Sequence, residues 1–241
     1  MSYTFTLTGR SSVLSANFYP PIELNATDRY GLALVGFYTY NSIFNIDESN
    51  NRFSYKKTEK SKSVNMIIPP GVYEIYEIEK AMLTALKEST KENEDNLFSL
   101  LANNNTLKCE IKSKYIIDFT EEKSVGKMLG FGRVLLKNGI KHESTFQVDI
   151  MKVRIIRVDS NITSGAYLNS NECHILFEFD IESEPGFKIT KEPSNPIYLP
   201  LRPDGRQFLD NITLRILDDN GDLINFQKEK IIVKLELKKL T

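Results

Sequence analysis

Two histidines and two cysteines are the chain's whole stock of soft nucleophiles and imidazole bases: His142, His174, Cys109 and Cys173. A cysteine and a histidine suit thiolate catalysis when their side chains meet and a third group orients the imidazole. Cys173 and His174 are adjacent in a strand-like run, Glu172-Cys-His-Ile-Leu176. Neighbours on a strand point to opposite faces, so these two cannot serve each other. His142, in the polar run Lys-His-Glu, could reach either cysteine only through the fold. Structural zinc would need about four such ligands at short spacings, a pattern this chain lacks. Asp218-Asp-Asn-Gly-Asp222 has the outline of an acidic calcium loop without the downstream bidentate glutamate, and reads as a hairpin turn.

The other chemical patterns are weaker. Glu121-Glu122 and the pair Glu182 and Glu184 lie in charged turns, and only separation in space would make such carboxylates a hydrolytic pair. Gly126, Gly130 and Gly132 do not follow a phosphate-loop spacing, and there is no nucleophile elbow. Phe37, Tyr38 and Tyr40 could stack on bases. Against that, 31 basic residues face 32 acidic ones, and a net charge of −1 gives no electrostatic footprint for nucleic acid. The five lysines between Lys228 and Lys239 mostly alternate with Ile, Val and Leu, as on a solvated strand face. No catalytic, cofactor-binding or metal-binding residue is assigned, and the expectation is a protein that is not an enzyme and uses no cofactor.

The elements that carry these residues are strands. Asn211 to Leu217 and Ile231 to Leu237 alternate apolar and polar residues, which puts one face of each against a core. Asn220-Gly221 between them is the strongest hairpin signal, suited to a type I′ turn, with Leu223 to Phe226 as the returning strand. Tyr30 to Tyr40 is long and β-rich, and its glycines predict a bulge or a close backbone approach. Pro20-Pro21 places the segment from Phe18 to Leu24 at an edge or corner. One helix is expected, Val72 to Ser89, with Ile75, Ile78, Met82, Leu83 and Leu86 on one face and glutamates in its first turns. Ser124 to Leu129 reads as a single helical turn, capped by Ser124 and ended by Gly130.

At 241 residues with 41% apolar content the chain can bury a real core. Turn chemistry at Asn138-Gly139 predicts a boundary between a β domain with one helix at 1–139 and a second β domain at 140–241. Two cysteines are too few for a disulfide scaffold, and small buried thiols are the default, with a single bridge left open. The first residues show no signal peptide and no apolar run approaches a membrane span. The fold class is all-β, a sandwich with one inserted amphipathic helix near 72–89.

Several phrases together carry a resemblance. Ile67-Ile-Pro-Pro-Gly-Val-Tyr-Glu-Ile75 leads into the helix, followed by Leu101-Ala-Asn-Asn-Asn-Thr-Leu107, Ile117-Asp-Phe119 and Ser124-Val-Gly-Lys-Met-Leu-Gly-Phe131. Ile156-Arg-Val-Asp-Ser-Asn-Ile162, Pro185-Gly-Phe187, Ile197-Tyr-Leu-Pro200 and the terminal ladder complete it. Over nearly its whole length the chain resembles capsid-like proteins of Polinton/Maverick-type elements and adintoviruses, including endogenised copies in invertebrate genomes. The resemblance implies a jelly-roll β-sandwich: two tandem jelly rolls that trimerise into capsomers, or a single jelly-roll vertex protein that forms pentamers. It implies no active site, a virion location, and other capsid proteins as partners. The loops at 41–51, 57–62, 133–145 and 182–194 are then candidates for lattice contacts. Two alternatives stand beside it: a monomeric β-sandwich module for carbohydrate or a protein partner, and a nucleic-acid-binding sandwich disfavoured by the charge balance.

Overall fold

Alternation alone says which residues face inward, and pairing decides what they face. The computed structural model describes residues 2–25, 27–202 and 208–240. In chain order the first strands are β1 (Ser2–Gly9), β2 (Val13–Glu23), β3 (Tyr30–Tyr40), β4 (Arg52–Lys56) and β5 (Val64–Ile67). Helix α1 (Ile75–Thr90) precedes β6 (Phe98–Asn103), β7 (Lys108–Ser113), β8 (Ile116–Asp118), β9 (Leu135–Leu136) and β10 (Lys141–Glu143). Then come β11 (Ile155–Ser160), β12 (Ala166–Leu168), β13 (Asn171–Cys173), β14 (Ile175–Asp180), β15 (Lys188–Lys191), β16 (Leu199–Pro200), β17 (Phe208–Leu217) and β18 (Ile231–Lys239).

The chain divides into two compact units: Met1–Ile43 with Val153–Thr241, and Phe44–Lys152. The first is a sandwich of sheets ordered β1-β18-β3-β15, with β16 also on β3, and β14-β11-β17-β2. Its antiparallel partners are nested: β1 with β18, β2 with β17, β3 with β15, β11 with β14. One long hairpin has been wound over itself so that successive nested pairs alternate between the two sheets. This is the jelly-roll arrangement, with eight strands in two Greek keys. The inward rows supply its core: Phe5 and Leu7 from β1, Leu32, Leu34 and Phe37 from β3, and Val233, Leu235 and Leu237 from β18. Ile156, Val158, Ile212, Leu214 and Ile216 meet them from the other sheet.

The second unit interrupts the chain between β3 and β11. It holds the sheets β5-β4-β8-β9 and β10-β7-β6, with α1 packed on β6. Its own core gathers Phe53, Tyr55, Phe98, Ile117 and Phe119 around Ile78, Met82 and Leu86 of the helix. The helix starts three residues later than expected, where a capping box forms: the Glu74 backbone N–H donates to Glu77 Oε2 at 2.8 Å. It ends as Lys91 turns left-handed at φ 62° and donates to Lys87 O. Near Ser124, one helical turn does form. The Ser124 hydroxyl accepts Gly126 N–H at 3.1 Å and Gly130 ends the turn at φ +79°.

Two expectations are corrected. The described residues build one eight-stranded jelly roll rather than two in tandem. The boundary expected at 139/140 is crossed by strand pairing, His142 with Ile111 in one unit and Leu7 with Val233 in the other. Asn138-Gly139 is a local turn, with Gly139 at φ +78°, between two short strands of the inserted unit.

The terminal hairpin is also smaller than expected. Leu217 bridges Leu223, and Ile224 N–H donates to Ile216 O, but the chain then leaves and β18 joins the opposite sheet. Gly221 alone of its pair takes a positive φ, +88°, so the turn is not type I′. The Asp218 carboxylate shapes it by accepting the N–H groups of Asn220 and Asp222.

Candidate functional site

The residues whose types suggested chemistry divide between the units: Cys109 and His142 lie on the paired strands β7 and β10, with His142 opposite Ile111, while Cys173 and His174 belong to the sandwich. Cys109 is buried in β7 of the inserted unit, where burial pushes its thiol up to about 11. At neutral pH it is a protonated, inert thiol. His142, on β10, is bound through Nε2 to Lys137 O at 2.8 Å. In the sandwich, His174 meets Thr163 O through Nδ1 at 3.0 Å, and Cys173 lies half-buried in β13. Glu121 pairs with Arg52 at 2.8 Å, Glu122 with Arg133, and Glu182 with Lys191, each within one unit and on its surface. Among the described residues no group of three or more His, Cys, Asp or Glu could hold a metal ion.

The three aromatics of β3 are likewise split. Phe37 is fully buried and meets Phe179 edge to face at 5.2 Å. Tyr38 and Tyr40 face outward. Tyr38 donates to Glu192 at 2.5 Å, with Lys188 and Lys234 within 5.5 Å and 5.2 Å of its ring. Tyr198 repeats the device: it donates to Glu236, which drives its hydroxyl up to about 12, and Lys238 sits 3.5 Å from its ring centre. The Tyr38 ring covers Gly36 of β3, while Gly31 is covered by Leu240 and the Tyr198 β-carbon. A β-carbon on Gly36 would come within 2.8 Å of Tyr38 Oη, and one on Gly31 within 3.0 Å of the Tyr198 β-carbon. Of the bulge or close backbone approach expected from these glycines the bulge is found, opposite Lys234 and Leu235, and what crowds the glycines is side chains. Lysine-capped rings already in use are poor platforms for bases.

Sheet β14-β11-β17-β2 carries an uncharged outer network that sequence reasoning missed. Asn211 Nδ2 reaches Ser15 Oγ, Asn17 Oδ1 and Ala16 O, while Asn161 Nδ2 donates to Asn211 Oδ1 at 3.1 Å. The only sequence trace was the twin Asn-Ile-Thr at 161 and 211. Beside β14 lies a small apolar groove of about 280 Å³ lined by Ala166, Leu168, Cys173, Phe177 and Leu199. Ligand pockets run from about 300 Å³ upward and converge several polar groups on the ligand, whereas the one charged side chain in this lining, Glu178, is paired with Arg157 at 3.1 Å.

What remains is surface suited to contact. In the sandwich Tyr19, Tyr40, Phe187, Ile197 and Phe208 are exposed, and in the inserted unit Ile67, Tyr76, Ile140 and Phe146. The expected contact loops divide. The turn at 57–62 is exposed almost throughout. The segment 41–51 is instead tied inward by asparagines: Asn41 Nδ2 donates to Ser183 O, Asn45 Nδ2 to Tyr73 O, Asn51 Nδ2 to Ile68 O. The stretch 182–194 contains edge strand β15, and 133–145 contains β9 and β10.

No protein-family model matches the chain, and no curated protein does. Solved structures match over the whole length. The crystal structure of the mavirus penton protein aligns at TM-score 0.51 and 12% identity, covering 100% of both chains. A weaker likeness, TM-score 0.47 and 15% identity over 99% of this chain and 98% of the other, is to a chain of the 3.5 Å cryo-EM structure of the Sputnik virophage. At 12% identity the first likeness is one of fold, and the fold is shared by proteins of many functions.

Proposed function

We propose that the chain is a structural capsid subunit of the single jelly-roll, vertex type, acting as a ring of five copies that contacts other capsid proteins in a virion. The observation that carries this reading is architectural. One nested eight-stranded jelly roll, interrupted once by a separately cored insertion, corresponds end to end with a protein named as a penton. A trimeric capsomer of tandem jelly rolls would need a second eight-stranded sandwich. The resemblance of the sequence to Polinton/Maverick and adintovirus capsid-like proteins supports the same reading and suggests the lineage. The exposed aromatic and aliphatic side chains on both units are the kind that obligate interfaces bury. Among the described residues no helix is long and apolar enough to cross a membrane.

Light scattering coupled to size exclusion tests it. A ring of five has five times the 27.6 kDa of the chain, about 138 kDa. A trimer, or a monomer at every concentration up to the solubility limit, would overturn the vertex reading. The monomer would favour the binding module instead.

A further inference from the structure

The four end strands of the sandwich are protected unequally. β15 is four residues long with a lysine at each end. β2 is broken by Pro20-Pro21 and by a register shift opposite Leu209 and Asn211. β14 carries Glu178 and Asp180 and is flanked by the β12–β13 hairpin. β1 has none of these devices. Ser2–Gly9 is eight residues without a charge or proline, and among the described residues it pairs in its sheet with β18 alone. Such an edge presents a row of backbone donors and acceptors to any extended partner.

We propose that this edge pairs antiparallel with β1 of a second copy, joining two sandwiches through one continuous sheet. The choice of partner comes from the strand's own pattern. Ser2, Thr4, Thr6 and Thr8 face outward and are exposed; Tyr3, Phe5 and Leu7 face the core. A two-fold axis at Phe5 sets Ser2 opposite Thr8, Tyr3 opposite Leu7, and Thr4 opposite Thr6. Hydroxyls then meet hydroxyls and apolar residues meet apolar ones, as favourable cross-strand pairs do. The next strand continues the match. Thr4 pairs with Glu236 and Thr6 with Lys234, so each outward row runs Glu236, Thr4, then the second copy's Thr6 and Lys234, acid at one end and base at the other. A contact of this symmetry cannot lie within a five-fold ring, and would join rings or free subunits in pairs. The inference rests on β1 alone and not on the vertex reading.

The test is trapping by register. Copies carrying Thr4→Cys mixed with copies carrying Thr6→Cys form an interchain disulfide under mild oxidation, at least about tenfold more than either variant alone, because position 4 meets 6 and not itself. Equal trapping in the single-variant samples, or none in the mixture, overturns the proposal. Charge substitution gives an independent readout by light scattering across a concentration series. Thr4→Lys with Thr6→Lys sets lysines opposite lysines in both rows and weakens pairing by roughly tenfold. Thr4→Lys with Thr6→Glu sets opposite charges across the axis and beside Glu236 and Lys234, and retains it. An unchanged mass series in the double-lysine protein overturns the proposal. A ring of five that survives while its pairing is lost separates this contact from the capsomer's own.

Discussion

The sandwich and its insertion are built on different balances of the same forces. The sandwich relies on long registered strands: β18 alone pairs with β1 along eight positions and with β3 along eight more. Its core is aliphatic and aromatic, with inward rows from both sheets. The insertion has short strands and one helix, and adds ion pairs between neighbouring strands and turns, such as Lys56 with Asp118, Lys141 with Glu110, and Lys114 with Glu92 and Glu94. Lys152 clasps Asp47, so the segments that enter and leave the insertion are tied together within it. Each unit therefore has what it needs to hold its own fold: the sandwich through non-local pairing, the insertion through local elements and a closing clasp.

Core truncations should separate the two most sharply. Phe37→Ala removes a fully buried ring from the sandwich and should cost about 3–5 kcal/mol, read as loss of protection in β3, β17 and β18 during denaturant titration. Met82→Ala should cost about 2–5 kcal/mol and strip protection from α1, β6 and β7 while β3 and β18 keep theirs. If either change lowered both sets equally, the two cores would be energetically one.

Gly126→Ala sharpens the comparison from inside the insertion. An added β-carbon would sit 2.5 Å from Phe119 Cγ and 2.8 Å from Gly132 O, with little freedom to move away. Overpacking of this kind should cost about 1–3 kcal/mol, measured by chemical denaturation, with the sandwich unaffected.

The smallest effect is electrostatic. Burial alone would raise the Asp47 carboxyl, but donation from Lys152 and Ser49 outweighs it and holds it below its ordinary value. Asp118 is held low against burial by Thr120 and Lys56. A carboxyl lowered by folding adds stability that is present above its unfolded value, near 3.9, and is lost as pH falls through its folded value. In the sandwich the balance is reversed at Asp159. Burial raises it against the lowering effect of His174, Arg215 and Arg202, so protonating it removes a penalty. Acidifying from about pH 5 to about pH 3 should therefore weaken the insertion more than the sandwich. Asp47→Asn should cost the insertion at most about 1 kcal/mol at neutral pH and reduce that acid sensitivity. Circular dichroism melts at the two pH values check both.

The sequence already showed the strands and their inward faces, because alternation is local. Ile231 to Leu237 reads as a half-buried strand from its own residues. Its partners do not, since the same alternation would suit pairing with β17 or, as found, with β1 and β3. That ambiguity let a short hairpin at Asn220-Gly221 look like the end of a ladder. Asn138-Gly139 misled for a related reason: turn chemistry is the same inside a hairpin as between domains. The helix was legible because a 3.6-residue period and acidic first turns lie within one segment, whereas its start was set three residues later by the Glu74–Glu77 capping box, which spacing alone did not reveal. The polarity of 41–51 suggested solvent, whereas Asn41, Asn45 and Asn51 spend their amides on backbone carbonyls. For the candidate surfaces, spacing put Cys173 and His174 on opposite faces of one strand, whereas β13 ends at Cys173 and β14 begins at Ile175, with His174 between them. It could not show the β1 edge, which exists only once β1 is known to end its sheet.

Hydrogen exchange under increasing denaturant, read segment by segment on the intact chain, tests the nested organisation most directly. The account predicts that 30–40 and 231–239 lose protection together, although most of the sequence lies between them, and apart from 75–90 and 108–118. Loss of 30–40 in step with 98–113, and separately from 231–239, would contradict it and restore a chain of two sequential halves.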